Sequence, residues 1–268
     1  MTIIRVAVLV ALFAFVSCND DKITKSITPS DDAKAQRDVI KSTYPESITK
    51  VLNAHGSLEV WKEMETLKFT MRKETGNEIT TTDLKNRYSI IEMPNHTIGY
   101  DGTNAWLQSK GDIPYDGNPK FYYNLMFYFY AMPFVVADDG IIYEEVDPLV
   151  LEGKKYPGIK VSFESGVGES SQDEYIVYYD SQTGMMTWLG YTVTYFTKEK
   201  SKTWSFIKYD EWQAVNGIKL PKQLVWYNVK DNMPTSKRNV IDFVDIILTE
   251  SSKGKNAFKM PTGAKVFK

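Results

Sequence analysis

Turn-forming residues recur along this sequence at short spacing and divide most of it into segments of strand length. These segments follow one another without intervening helical patterns, which excludes a parallel sheet built from strand–helix–strand units. Regular punctuation of this kind indicates an antiparallel meander that curls into a sandwich or a barrel. The turn signals are Thr75-Gly76-Asn77, Pro94-Asn95, Asp101-Gly102-Thr103, Glu152-Gly153, Ser165 to Gly168, Asp180 to Gly184, Asn216-Gly217 and Lys230 to Pro234.

The first strand is predicted after Met64, where the hydrophobic period changes from 3.6 to 2. Leu67, Phe69 and Met71 alternate with polar neighbours, which is typical of a half-buried strand. Further strand-like runs are Tyr88–Glu92, Ala105–Gln108, Ile159–Phe163, Glu174–Tyr179, Met186–Phe196, Thr203–Trp212, Leu220–Tyr227 and Val240–Leu248.

A helical pattern precedes the strands, from Asp31 to Gly56. Ser30 is placed to cap it, and Pro45 interrupts it. The second piece, about 45–54, carries apolar residues at helical spacing, and Gly56 stands where a glycine ends a helix. We expect one amphipathic helix that faces a core.

Residues 1–17 have the pattern of a signal peptide, with Arg5 followed by an apolar run that is too short to span a bilayer. The run ends in Phe15-Val16-Ser17-Cys18, which resembles a bacterial lipobox except that Phe15 replaces the usual Leu. Cys18 is therefore the predicted lipid attachment site. The alternative is an ordinary secretory signal with a cysteine near its cleavage point.

The segment after Cys18 is polar, and residues 18–30 have too little apolar content to fold alone, so we interpret them as a tether. A cysteine followed at once by acidic residues resembles the surface-export signal of Bacteroidota-type lipoproteins. Residues 31–268 are then the folded domain. The expected location is the outer membrane, with the domain facing the periplasm or the cell surface.

Composition argues against several functions. A net charge of −2 gives no positive electrostatic field that would attract the phosphates of a nucleic acid. The single cysteine excludes an internal disulfide framework and a cysteine-based zinc cluster. His55 is interpreted as a helix C-terminal residue stabilised by the helix dipole, and His96 as a solvated turn residue. No catalytic residue, metal site or cofactor is predicted. A hydrolase that uses a pair of carboxylates from separate strands remains an alternative function.

The segment from Phe121 to Val136, here called the aromatic segment, breaks the strand rhythm. It contains eight aromatic residues in sixteen and no charged residue. Its aromatic residues follow helical spacing, but both sides are apolar, so a helix here must be buried nearly all round. We expect an insert that plugs the mouth of a barrel or lines a cavity, or else one that completes the core.

Four local phrases resemble the LolA/LolB type of periplasmic lipoprotein carrier and its relatives: Asn53–Trp61, Tyr100–Leu107, Tyr178–Met185 and Asn216–Pro221. The likeness runs from about Val51 to Val266 and is similar also to a group of Bacteroidota outer-membrane lipoproteins. It implies a mainly β (α+β) fold in which a curved antiparallel sheet forms an incomplete barrel. The N-terminal helix lies on the concave face and the aromatic insert at the mouth.

The resemblance further implies an apolar cavity for acyl chains or another hydrophobic ligand. We expect a lipid-anchored protein that binds or transfers such a ligand, with a membrane and an envelope protein as its partners. A structural or interaction subunit of an envelope complex and a carboxylate-dependent hydrolase are the alternatives. The residues expected to line the cavity are Trp106, Phe127, Tyr130, Met132, Phe134, Tyr195 and Trp204.

Overall fold

One antiparallel sheet dominates the computed structural model, which describes residues 43–164 and 172–267. In the described part, thirteen strands form this sheet, and two more form a separate hairpin. The strands are β1 Thr66–Arg72, β2 Glu78–Asp83, β3 Ser89–Glu92, β4 His96–Tyr100, β5 Ala105–Ser109, β6 Ile141–Leu151, β7 Lys154–Phe163, β8 Tyr175–Tyr179, β9 Met186–Tyr191, β10 Ser205–Tyr209, β11 Trp212–Val215, β12 Ile218–Pro221, β13 Gln223–Lys230, β14 Met233–Thr249 and β15 Lys265–Phe267.

The strand order in the large sheet is β15-β5-β4-β3-β2-β1-β14-β13-β10-β9-β8-β7-β6, and β11 pairs with β12. Within the described residues, the edge strands β6 and β15 do not pair with each other, so the sheet stays open. The predicted fold class, a curved antiparallel sheet that forms an incomplete barrel, is confirmed.

The helices in the described residues are short and lie at three places along the chain. They are α1 Glu46–Ala54, α2 Leu58–Glu63, α3 Pro119–Tyr122, α4 Leu125–Tyr130, α5 Met132–Val135 and a 3-10 helix at Lys255–Phe258. None of the helices in the described ranges has the length and apolar character needed to cross a membrane.

The predicted amphipathic helix is confirmed as α1 over its second piece. Ile48, Val51 and Leu52 are buried at the predicted spacing. Residues 31–42 lie outside the described residues, as do the predicted signal peptide, Cys18 and the tether. Gly56 ends the helix with φ +113°, and a Cβ there would meet the Gly217 carbonyl oxygen at 2.2 Å, so only glycine fits.

Each predicted strand overlaps an observed one, but the longer predicted runs extend beyond the ends of the observed strands. The run 186–196 ends at Tyr191, and 203–212 ends its first strand at Tyr209. The run 220–227 covers the end of β12 and the start of β13. Four strands, β2, β4, β6 and β15, were not predicted.

Their local sequences explain this omission. Strand β2 contains Thr80, Thr81 and Thr82, which are all buried, so hydrophobic alternation is absent. Strand β6 is an edge strand with a register shift between Val146 and Leu149, where Pro148 lies. A bulged, largely exposed edge carries a weak hydrophobic pattern.

The two faces of the sheet differ in what they pack against. Neighbouring residues alternate between them: Val177, Leu189 and Ile207 join the main core with the helices, whereas Tyr178, Trp188 and Phe206 form a separate cluster. We call the face that packs on the helices the inner face and the other the outer face.

The aromatic segment folds as α3, α4 and α5 and not as one helix. Pro133 lies in the first turn of α5, where its missing N–H costs nothing, but it cannot continue α4. Most of the segment is buried on the inner face, and two tyrosine hydroxyls fix it there. Tyr209 donates to the Phe129 carbonyl at 2.6 Å and Tyr143 to the Val136 carbonyl at 2.6 Å.

Candidate functional site

A cleft of about 450 Å³ opens beside the start of the aromatic segment, and we call it the larger cleft. Its lining consists of seven aromatic side chains, seven polar or charged ones and one aliphatic one, Leu125. The aromatic residues are Tyr100, Phe121, Tyr123, Tyr128, Phe163, Tyr175 and Tyr195, and the polar ones are Asn86, Arg87, Lys120, Asn124, Asp138, Asp139 and Asp173.

Arg87 reaches this cleft from the turn between β2 and β3. The Asp83 carboxylate organises the turn by accepting from the backbone N–H groups of Lys85 at 3.1 Å and Asn86 at 2.7 Å. Arg87 itself has φ +60°, a conformation that is uncommon for a residue with a side chain. The chain thus adopts a disfavoured backbone conformation at the residue that presents a guanidinium to the cleft, which is a pointer to function.

The Arg87 guanidinium contacts a carboxylate and an aromatic ring. Its Nη2 lies 2.6 Å from Oδ1 of Asp138, and its guanidinium carbon lies 4.9 Å from the centre of the Phe127 ring. Burial raises the pKa of Asp138 above its usual range, and the Arg87 charge opposes that rise. The second guanidinium nitrogen, Nη1, is buried and has no acceptor among the described residues.

Asp173 is fixed on the opposite strand hairpin by Thr194. The Thr194 backbone N–H and hydroxyl donate to Oδ1 of Asp173 at 2.6 and 2.7 Å. Burial raises the pKa of Asp173, while these two hydrogen bonds and Lys198 lower it. Two carboxyl groups with raised pKa values therefore line one cleft.

Three rings form the rim of the cleft. The Phe121 ring centre lies 4.9 Å from that of Tyr195 and 5.1 Å from that of Phe196. Lys198 places its ammonium 4.2 Å from the centre of the Tyr195 ring, a cation–π contact. Phe196 is 69% exposed, so the rim presents apolar surface to solvent.

A smaller cleft of about 330 Å³ lies on the other side of the Arg87–Asp138 pair. Leu58, Trp61 and Phe134 line it, and the Phe134 ring stacks on Trp61 at 4.6 Å with an angle of 8°. Both clefts share Arg87, Asp138 and Asp139, so the ion pair stands between them.

The seven residues expected to line a cavity do not lie together. Tyr195 lines the larger cleft and Phe134 the smaller one. Phe127, Tyr130 and Met132 are no more than 1% exposed and belong to the main core. The positions of these three residues agree with the alternative expectation, in which the aromatic segment completes the core.

The two tryptophans lie on the outer face, away from both clefts. Trp106 separates Ala105 and Leu107, which pack inward with Tyr123, and its ring lies across Gly99. Trp204 packs with the outer-face cluster. Because successive side chains of a strand point to opposite faces, the Trp106 ring in β5 lies on the face opposite to Ala105 and Leu107.

The histidine interpretations need correction. His96 is 6% exposed in β4, and its Nε2 lies 2.9 Å from the Ile113 carbonyl, so it is not a solvated turn residue. His55 follows α1 as expected, but it is fully buried, and burial lowers its pKa to about 4. It is neutral, so a charge–dipole interaction does not stabilise it. In the described part, no three potential ligand side chains converge on a metal site.

Sequence reasoning missed Arg87, Asp138 and Asp173 as site residues. Asp138-Asp139-Gly140 lies in a turn, and its first carboxylate pairs with Arg87. Arg87 and Asp173 carry no local motif, and only the positive φ of Arg87 marks it.

The family to which the chain belongs follows from residues 108–242, which match the model of a family of unknown function, DUF6503. This match covers half of the chain. The chain belongs to DUF6503. Within the chain, the matched part contains the aromatic segment and most of the larger cleft, including Asp138, Asp173 and Tyr195. No curated protein sequence matches the chain.

The solved structures that are similar to this member of DUF6503 include the following two. One is a LolA superfamily protein, NE2245, from Nitrosomonas europaea, at 8% identity and a TM-score of 0.47, covering 78% of this chain and 96% of that one. The other is a DUF1329 family protein from Desulfovibrio piger, at 10% identity and a TM-score of 0.43, covering 75% and 90%. The likeness to both concerns the fold alone.

Proposed function

We propose that the protein is a lipid-anchored, non-catalytic binding protein of the bacterial envelope that holds an amphipathic ligand in the larger cleft. The observation that carries this proposal is the composition of the cleft, half aromatic and half polar. Its volume of about 450 Å³ is within the range of small-molecule sites. A lipid or a lipoprotein acyl chain would supply the apolar part of such a ligand.

The packing of the inner face limits where the ligand lies. Tyr130 stacks on Phe243 at 4.4 Å and contacts Phe69 at 4.5 Å, which fills the space under the helices with the protein's own rings. The ligand therefore sits at the mouth, against the rim of Phe121 and Tyr195, and does not thread through the core.

Native mass spectrometry of the domain purified from its host tests this proposal. We expect a bound small molecule in repeated preparations, and uptake of an added lipid by protein that has lost it. If no preparation carries a ligand and no added lipid is taken up, the structural or interaction subunit becomes the better account. The self-filled inner face agrees with that alternative.

One observation favours a hydrolase as a second candidate. Asp138 and Asp173 both have raised pKa values and both line the cleft, and perturbed carboxyl groups mark many active sites. In this structure each is engaged, Asp138 by Arg87 and Asp173 by Thr194. Turnover of nitrophenyl glycosides or esters that is lost in Asp138→Asn and Asp173→Asn would establish it.

The proposed anchor makes a separate prediction. Cys18→Ser is expected to abolish palmitate labelling and membrane retention in cells, because the thiol is the acceptor of the diacyl group and two chains are needed for stable anchoring. Labelling of the wild-type and variant proteins, followed by fractionation, measures this. Continued labelling of the variant would contradict the anchor but would leave the cleft proposal unaffected.

A further inference from the structure

The lining of the larger cleft points to the chemical class of the ligand, given that the cleft binds a ligand as proposed above. We infer that it binds a neutral sugar ring, as part of a glycolipid or of a free glycan. Only Leu125 among its lining residues is aliphatic. A pocket built for an acyl chain alone needs no such set of seven polar side chains, because buried polar groups cost free energy unless they are hydrogen-bonded.

The aromatic side chains that line the larger cleft suit a sugar ring. Aromatic rings carry a negative face, and the C–H groups on the flat side of a pyranose carry partial positive charge, so the two attract each other. Tyr128 and Tyr175 also bring hydroxyl groups. Burial raises the pKa of both tyrosines, which keeps these hydroxyls protonated and able to donate.

The charged half favours a neutral head group. Three carboxylates, Asp138, Asp139 and Asp173, share the cleft with the cations of Arg87 and Lys120. The carboxylates would repel an anionic head group, and Arg87 and Lys120 would repel a cationic one. Hydroxyl groups donate and accept at once, so they can pair with both kinds of side chain.

Two buried polar atoms of lining residues lack partners within the described part of the chain. One is a donor, Nη1 of Arg87, and the other is an acceptor, Oδ1 of Asn124. Both Thr194 bonds go to Oδ1 of Asp173, and Arg87 binds Oδ1 of Asp138. Oδ2 is therefore the oxygen of each carboxylate that is left to accept from a ligand hydroxyl.

Four probes test this inference by calorimetry below the micellar concentrations. Dodecyl maltoside, dodecanoate and dodecylphosphocholine share one chain and differ in the head group, and maltose has no chain. We expect dodecyl maltoside to bind at least about tenfold more tightly than the other two dodecyl probes, since unpaired buried polar groups in the cleft penalise a mismatched head. Binding of maltose as tight as that of dodecyl maltoside indicates a free glycan, and a strong need for the chain indicates a glycolipid.

Variants connect this preference to the cleft. Asp173→Asn and Asn124→Ala are each expected to weaken dodecyl maltoside binding by about tenfold. Asp210→Asn, an exposed aspartate outside the cleft, is the matched control and should bind as the wild type does. Thermal melting of each variant separates a lost contact from a lost fold, and Asn124→Ala keeps the test valid if Asp173→Asn unfolds.

The other outcomes overturn the inference in distinguishable ways. Preference for dodecanoate that disappears in Arg87→Gln means an anionic ligand. Equal binding of all three dodecyl probes means that the chain alone is recognised, which refutes the sugar but retains the proposed binding function. If none of the four probes binds and native mass spectrometry finds no ligand, the proposed function fails as well.

Discussion

Phe127→Ala is expected to lower the free energy of unfolding by about 3–5 kcal/mol, the usual cost of removing a fully buried aromatic ring. The Phe127 side chain is 1% exposed and lies in the main core under the Arg87 guanidinium. Its loss opens a cavity where the helices meet the inner face, and it also removes the ring that supports Arg87. Urea unfolding followed by tryptophan fluorescence measures the effect.

Phe196→Ala is the matched control, because Phe196 belongs to the rim and is 69% exposed. Its effect on the free energy of unfolding should stay within about 0.5 kcal/mol. If Phe127→Ala instead retained full stability and lost only ligand binding, Phe127 would line the ligand site, as the sequence predicted, and our assignment of this ring to the core would be wrong.

The second large effect is a loss of stability in acid through His55. The pKa of His55 is lowered to about 4, chiefly by burial; the hydrogen bond to the Val51 carbonyl opposes this shift, and the Lys219 charge adds to it. The folded state therefore binds a proton less readily than the unfolded state, where the pKa is about 6.5. As the pH falls from about 6.5 to 4, the unfolded state is favoured by a growing amount, about 3 kcal/mol in total.

The geometry around His55 explains why a second proton is not accepted. Nδ1 lies 2.7 Å from the Val51 carbonyl and donates to it, while Nε2 is buried with no partner in the described part of the chain. The Trp212 ring packs against the imidazole at 4.4 Å. Protonation at Nε2 would place an unpaired charge against this ring and near Lys219.

His55→Gln, which cannot titrate, tests the assignment. Free energies of unfolding at pH 7, 5.5 and 4 should fall less steeply for the variant, with a difference of about 3 kcal/mol between the two proteins over this range. Parallel curves would show that the acid sensitivity comes from other groups.

The sequence predicts those parts of the fold in which local pattern and burial agree. Strand β1 buries Leu67, Phe69 and Met71 at the predicted alternate positions, and α1 carries its apolar residues on one side, so both are recovered. Strand β2 is not, because its threonines are buried by the strands and helices around it, and the local sequence does not encode that burial. The aromatic segment is helical as expected, but it folds as three short helices, and Pro133 separates the last two.

The candidate site was harder to predict for a topological reason. Arg87, Asp138 and Asp173 come from three separate turns, and their proximity depends on the pairing of distant strands. Of the seven residues expected to line a cavity, Tyr195 lines the larger cleft, but aromatic content could not tell which face of the sheet a ring occupies. The parity of Trp106 relative to Ala105 and Leu107 becomes informative only when the inner face is known.

The central claim is that a ligand occupies the larger cleft, and photoaffinity labelling tests it most directly. The tightest-binding dodecyl probe, with a diazirine in its chain, is irradiated with the protein, and the labelled peptides are identified by mass spectrometry. We predict adducts at residues 119–128, 173–175 and 195–196, which carry lining and rim residues of the cleft. Adducts concentrated on the outer face, at residues 204–206 or 227–229, would contradict the account.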